Sequence, residues 1–233
     1  MLTILFGIIY VSAAHSGNDQ SVAGRRAPLA LLGAANVMKQ YKVNPARVFV
    51  GGFSGGSRVA VRLALTYPDL FRGALLNSGS DPIGRSEMPL PSHDLFVQFQ
   101  GASRLVYVTG DDDMLVLAKD RASISSMREW CVAGVSTQSY PDAGHEAANA
   151  STFERALRHL LEPVTPDASE LAECRSQHER ELADKVHQAE SLAAGGQTDD
   201  AKRALKDIDA KFGGLQPQEV LDLDAKLGLD AAE

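Results

Sequence analysis

The chain has 233 residues, with 30 Asp and Glu against 23 Lys and Arg, a formal net charge of −7 and 44% hydrophobic residues. That composition is ordinary for a globular protein of one large domain, or of one medium domain with an appendage. The acidity is uneven: residues 164–233 carry 16 acidic and 8 basic side chains, while residues 1–163 lie within one charge of neutral and hold no basic cluster, which argues against nucleic-acid binding.

Leu2–Ala14 is an apolar stretch with no basic residue before Arg25, so it lacks the charged start of a secretory signal. It is too short to cross a bilayer as a helix, and no transmembrane segment is expected elsewhere. Phe6–Val11 is rich in strand formers, as a buried parallel strand would be. Further strands are expected near 47–51, 73–77, 104–109 and 135–140, and helices near 28–41, 57–66, 114–130 and 151–161. Alternation of this kind implies an α/β fold, a mostly parallel sheet with flanking helices. Ser80–Gln100, with Pro82, Pro89 and Pro91, shows little periodicity and reads either as a lid or as a plain surface loop.

A boundary falls at Leu161–Asp167, dividing residues 1–163 from an acidic helical C-terminal region, 164–233. There, one helix should run to about Ala194 before Gly195-Gly196. A second should run from Asp199 to Phe212 before Gly213-Gly214, and a third from Pro217 to about Leu227. Leu182, Val186, Ala189 and Ala193 share one helical face, as do Ala201, Leu205, Ile208 and Phe212. Such faces fit an appendage packed on the body better than a partner-binding module, although a protein partner at 164–233 stays open.

The most informative segment is Val48–Ser57, in which Gly51-Gly52-Phe53-Ser54-Gly55-Gly56 separates a strand-like run from a glycine-free helical run. This is the G-x-S-x-G nucleophile elbow in its required context of strand, sharp turn and helix. A serine hydroxyl needs a base, and the base an orienting acid. Both follow in order. Gly110-Asp111-Asp112-Asp113 closes the strand at 104–109, and Gly144-His145 lies in the loop after the strand at 135–140. His145 is the best base of the six histidines. Asp113 is preferred to Asp111 and Asp112, because a Gly-x-x-Asp turn carries the last carboxylate to the far side, where it can reach inward.

These segments resemble the α/β-hydrolase superfamily, and within it the esterase branch that includes feruloyl esterases and polyhydroxyalkanoate depolymerases. The likeness rests on Asn44–Gly56, Tyr67–Gly79, the Gly110–Asp113 turn and Gly144-His145, and covers roughly residues 4–162. It implies Ser54 as nucleophile, Asp113 as orienting acid, His145 as base and the backbone N–H of Gly55 as one oxyanion donor. In the resembling fold a second donor follows a strand that would precede Phe6–Val11. Only Met1–Leu5 stand there, so the chain reads as N-terminally short, a fragment in preference to a reduced hydrolase.

The expected function is therefore a serine hydrolase cleaving carboxylic esters, small or polymeric, through an acyl-enzyme on Ser54. The alternatives are a serine peptidase of the same fold, or a catalytically decayed scaffold with a partner-binding tail. No metal-ligand, P-loop or dinucleotide motif occurs, so no cofactor is expected. Cys131, read as a buried helix residue, and Cys174 are the two cysteines. A disulfide between them, which the sequence does not decide, would pin the tail to the body and imply an oxidising compartment. The resemblance implies export of the full-length protein.

Overall fold

The computed structural model describes residues 7–228. Its centre is four strands, β1 (Val50–Phe53), β2 (Gly73–Asn77), β3 (Arg104–Gly110) and β4 (Gly134–Tyr140). They lie in sequential order and every pairing is parallel, with Val50 opposite Ala74, Ala74 opposite Leu105 and Arg104 opposite Gly134. Parallel neighbours require crossovers, and helices supply them. α1 (Ala27–Gln40) precedes β1. α2 (Gly55–Thr66) joins β1 to β2, α3 (His93–Ala102) lies between β2 and β3, and α4 (Met114–Glu129) joins β3 to β4. α5 (Ala150–Leu160), α6 (Ala168–Ala194), α7 (Thr198–Phe212) and α8 (Gln218–Lys226) follow.

Successive side chains of a strand point to opposite faces, and the core divides accordingly. Ala74 and Leu76 of β2 and Leu105 and Tyr107 of β3 join the larger cluster, with Val61 and Leu65 of α2, Phe96 and Phe99 of α3, and Met127 of α4. Leu75, Val106 and Val108 face the other way, onto Ala156 and Leu160 of α5. Val59 and Leu63 of α2 carry α1 through its Ala30, Leu31 and Ala34. The architecture is a four-strand parallel sheet with flanking helices and a C-terminal helical region.

The faces of α6–α8 seen in sequence close the larger cluster. Ala189, Leu205, Ile208, Phe212 and Val220 are buried in it beside Trp130. The Trp130 ring, 1% exposed, meets the Phe212 ring edge-on at 5.7 Å and stacks on His178 at 4.2 Å. Arg175 of α6 donates from Nε to Gln100 Oε1 and from Nη2 to the Val97 carbonyl, both at 2.8 Å. A disulfide joins Cys131 to Cys174.

Four expectations are corrected. Gly7–Val11 forms no strand, and Phe6 lies outside the described residues. Strand formers alone do not make a strand, because the backbone needs a pairing edge. Here Tyr10 and Val11 are exposed, and β1 is an edge strand among the described residues. β1 itself starts at Val50 instead of Arg47, because Pro45–Arg47 is held in a 3₁₀ turn capped by Asn44. Ser80–Gln100 is neither lid nor plain loop. Ile83, Met88 and Leu90 are buried, and α3 begins after Ser92 with Phe96, Phe99 and Gln100 on its inner face. Cys131 lies beyond the end of α4 and not within it. Its φ is 62°, and the Val132 N–H reaches back to the Met127 carbonyl at 2.8 Å, so Cys131 occupies the left-handed position that commonly ends a helix.

Candidate active site

The site forms where the carboxyl ends of β1, β3 and β4 converge. β1 delivers Ser54 into a turn so tight that φ is 53° and ψ is −118°. A non-glycine residue seldom adopts that conformation, and it persists only where its surroundings enforce it. Two contacts do so. The Ser54 N–H donates to the Asn77 carbonyl at 2.8 Å, and the Ser54 carbonyl accepts from the Arg58 N–H at 3.2 Å. Gly52 is required because a Cβ there would stand 2.4 Å from the backbone carbon of Gly56. α2 starts directly after Ser54, so the first N–H groups of the helix, that of Gly55 among them, have no partner within it.

β3 delivers the acidic turn, and its three carboxylates part company. Asp111 accepts from Ser139 Oγ at 3.2 Å on the surface, and the Asp112 side chain is exposed. Asp113 turns inward, its side chain 10% exposed. One oxygen, Oδ1, accepts from the Val116 N–H at 3.4 Å and caps α4; the other, Oδ2, lies 2.6 Å from His145 Nδ1. Gly110 permits this arrangement. A Cβ there would fall 2.1 Å from the Ala143 carbonyl oxygen, so only glycine lets the chain leading to His145 cross the end of β3.

His145 Nε2 lies 2.9 Å from Ser54 Oγ. An ionised carboxylate only accepts hydrogen bonds, so the Nδ1 beside Asp113 carries the ring proton and Nε2 is left to accept from the serine hydroxyl. The imidazole is braced by the Phe53 ring at 5.1 Å. Its loop is tied down by Asn77, which the sequence reading gave no role. Asn77 Nδ2 donates to the Val108 carbonyl at 2.9 Å, and Oδ1 accepts from the Ala148 N–H at 2.9 Å.

A cavity of about 510 Å³ opens beside Ser54 and His145. Its wall includes Asn18, Arg26, Arg58 and Arg62, none of which sequence reasoning singled out. Arg58 and Arg62 recur four apart on α2, and that spacing was the one available signal. Nothing local in the sequence brings Asn18 or Arg26 to Ser54.

Behind the site, Asp120 of α4 is 3% exposed. One of its oxygens accepts from the Thr109 hydroxyl and the other, Oδ1, has no hydrogen-bond partner among the described residues. Burial, with the nearby Asp113 charge adding to it, pushes its pKa up from 3.8 to about 6. Tyr107, buried beneath the same helix and 2.9 Å from Ser123 Oγ, is pushed up to about 12, chiefly by burial. Among the described residues, Cys131, Cys174 and His178 place potential metal-ligand atoms within 4.8 Å of one another, but the disulfide engages both sulfurs.

No protein-family model matches the chain, and no curated protein matches it in sequence. Solved structures do resemble it. Arabidopsis thaliana SOBER1 is 21% identical with a TM-score of 0.37, over 56% of this chain and 64% of that one. A Bacillus cereus carboxylesterase is 14% identical with a TM-score of 0.43, over 64% and 66%. Zea mays acyl-protein thioesterase 2 is 18% identical with a TM-score of 0.39, over 63% and 70%. The likeness thus spans less than two thirds of the first two of those chains. Among the described residues no helix is long and apolar enough to cross a membrane.

Proposed function

We propose that the chain is a serine hydrolase cleaving carboxylic esters through an acyl-enzyme on Ser54. The observation that carries the reading is the unbroken relay Ser54 Oγ–His145 Nε2 at 2.9 Å and His145 Nδ1–Asp113 Oδ2 at 2.6 Å. In this reading Ser54 Oγ attacks the acyl carbon while Nε2 takes its proton. Asp113 holds the ring in the required tautomer and stabilises the imidazolium. The negative charge of the tetrahedral intermediate gathers at the free N–H of Gly55, at the positive end of α2. The imidazolium protonates the leaving alkoxide. Water, deprotonated by the same Nε2, then releases the acid and restores the serine.

The left-handed backbone of Ser54 supports the reading, since strain of this kind collects where a side chain must be presented in one direction. The disulfide supports placement in an oxidising compartment. The test is labelling by a fluorophosphonate, which reacts with activated serines, combined with turnover of a 4-nitrophenyl ester. Label is expected on Ser54 and absent in Ser54→Ala. Asp113→Asn should lose on the order of 10³-fold or more in kcat, and Asp111→Asn should stay within about threefold. Unlabelled Ser54 in the folded protein, or equal losses in the two Asn variants, would refute the assignment.

A further inference from the structure

The cavity at Ser54 has a charge pattern that ester hydrolysis alone does not require. Arg26, Arg58 and Arg62 line it, and among the described residues no carboxylate does. Residues 1–163, which supply the whole lining, lie within one charge of neutral, so the three arginines are a local concentration of positive charge. Arg58 and Arg62 share one anion: Arg58 Nε lies 3.5 Å from Asp81 Oδ1, and Arg62 Nη1 3.0 Å from Asp81 Oδ2. That leaves the wall with an excess of positive charge. The Arg26 guanidinium makes no hydrogen bond or ion pair among the described residues, although Arg26 is half-buried.

Its position sharpens the point. Arg26 ends a π-helical turn, Val22–Arg26, that leads into α1. Its Nη2 lies 3.9 Å from where a Cβ on Gly56 would stand, which puts the guanidinium against the first turn of α2. A helix N-terminus is itself positive. Arg58 lines the same wall, so an anion taken by the Arg26 guanidinium meets a second guanidinium there. Guanidinium takes carboxylate or phosphate oxygens through parallel N–H bonds.

We propose that Arg26, with Arg58, forms an anion subsite in the cavity wall, apart from the Gly55 N–H that takes the oxyanion, and that the substrate is an ester also bearing an anionic oxygen group. The proposal rests on the serine-hydrolase reading. Arg26 binds the charged end of the substrate and sets specificity, and the Ser54–His145 pair acts on the ester carbonyl.

The experiment compares matched ester pairs. 4-Nitrophenyl pentanoate is set against mono-4-nitrophenyl adipate, with the anion on the acyl side. Methyl 4-acetoxybenzoate is set against 4-acetoxybenzoate, with the anion on the alcohol side. In one pair, kcat/KM for the anionic member should exceed that of the neutral member about tenfold, and that pair locates the subsite. The ratio should fall towards one in Arg26→Gln, mainly through KM, and in 0.5 M NaCl. Arg121→Gln, an exposed arginine on α4 outside the cavity, should leave it intact. Ratios at or below one in both pairs would overturn the subsite. So would an Arg26→Gln variant that loses kcat equally on both members, since the guanidinium would then serve the transition state. Calorimetry with adipate and with inorganic phosphate, on the intact protein and on Arg26→Gln, reads the subsite without turnover and separates the two anions. Binding lost in the variant sustains the subsite even if Ser54 takes no label. Turnover and labelling with no anion preference and no binding would leave the hydrolase reading standing and remove the subsite.

Discussion

Replacing Asp120 with Asn should make the protein more stable above neutrality and change little in acid. Asp120 is almost fully buried, has one oxygen bonded by the Thr109 hydroxyl and one unpaired, and faces the Asp113 charge. Ionising it in the folded protein is therefore unfavourable, and its pKa rises from 3.8 to about 6, with Arg58 offering only partial compensation. A carboxyl raised in this way contributes its full stability below about pH 4. That contribution is lost as pH rises through about 6. The displacement corresponds to about 3 kcal/mol against the charged form. Asn keeps an acceptor for Thr109 but brings an amide donor into the same space, at about 1 kcal/mol. The net expectation is a gain of about 2 kcal/mol at pH 8 and none, or a small loss, at pH 4. Urea unfolding of both proteins at half-unit intervals from pH 4 to pH 8 reads the difference. A gap that stays flat with pH would refute the reasoning, and so would one that opens towards acid.

Asn77→Ala removes the clamp between β3 and the His145 loop and leaves the Ala148 N–H without its partner, while the Val108 carbonyl keeps the Ser78 N–H at 2.8 Å. We expect kcat for a 4-nitrophenyl ester to fall about 10–100-fold with a smaller change in KM, because the imidazole loses its fixed position while the cavity remains. A change confined to KM would contradict this. Exchanging both cysteines for Ser should lower stability by about 2–4 kcal/mol, since the bridge spans 43 residues of sequence. Urea midpoints with and without reductant should show the same loss in the unmodified protein and none in the variant. A midpoint indifferent to reductant would mean that the bridge does not constrain the unfolded chain.

The positions of strands and helices were legible wherever local pattern and tertiary need coincided. β2 and β3 are continuous apolar runs that end buried on both faces, and the helices of the tail carry their faces in the sequence at i, i+3 and i+4. The turn at Ser54 was legible because it is a local device: the glycines, the positive φ and the helix start lie within six residues. Asp113 and His145 were legible only as ordered candidates after strand ends. What selects Asp113 over its neighbours is the crossing of Ala143 over Gly110, a contact between segments about thirty residues apart. Gly7–Val11 failed in the opposite sense. Its residues favour a strand, but the pairing edge that would make it one is not a property of the segment. Arg26 and Asn77 left no local mark, since each acts through a partner brought near by the fold.

α4 ties these pieces together. Its N-terminus is capped by Asp113, the carboxylate on His145, and its middle carries Asp120 and Ser123 beneath the carboxyl ends of the strands. Trp130 caps its C-terminal end; His178 of α6 stacks on that ring and Phe212 of α7 stands edge-on to it, with the disulfide beside them. The His178 Nε2–H also donates to the Glu129 carbonyl at 2.8 Å, satisfying one of the orphan acceptors of that helix end. The acidic tail is thus fastened to the far end of the helix whose N-terminus Asp113 caps. A tail bound only by exposed charge would contribute little to that helix. Aromatic burial around Trp130 holds α4 far more firmly, so the placement of Asp113 depends in part on residues beyond 164, in a region whose sequence carries no catalytic motif.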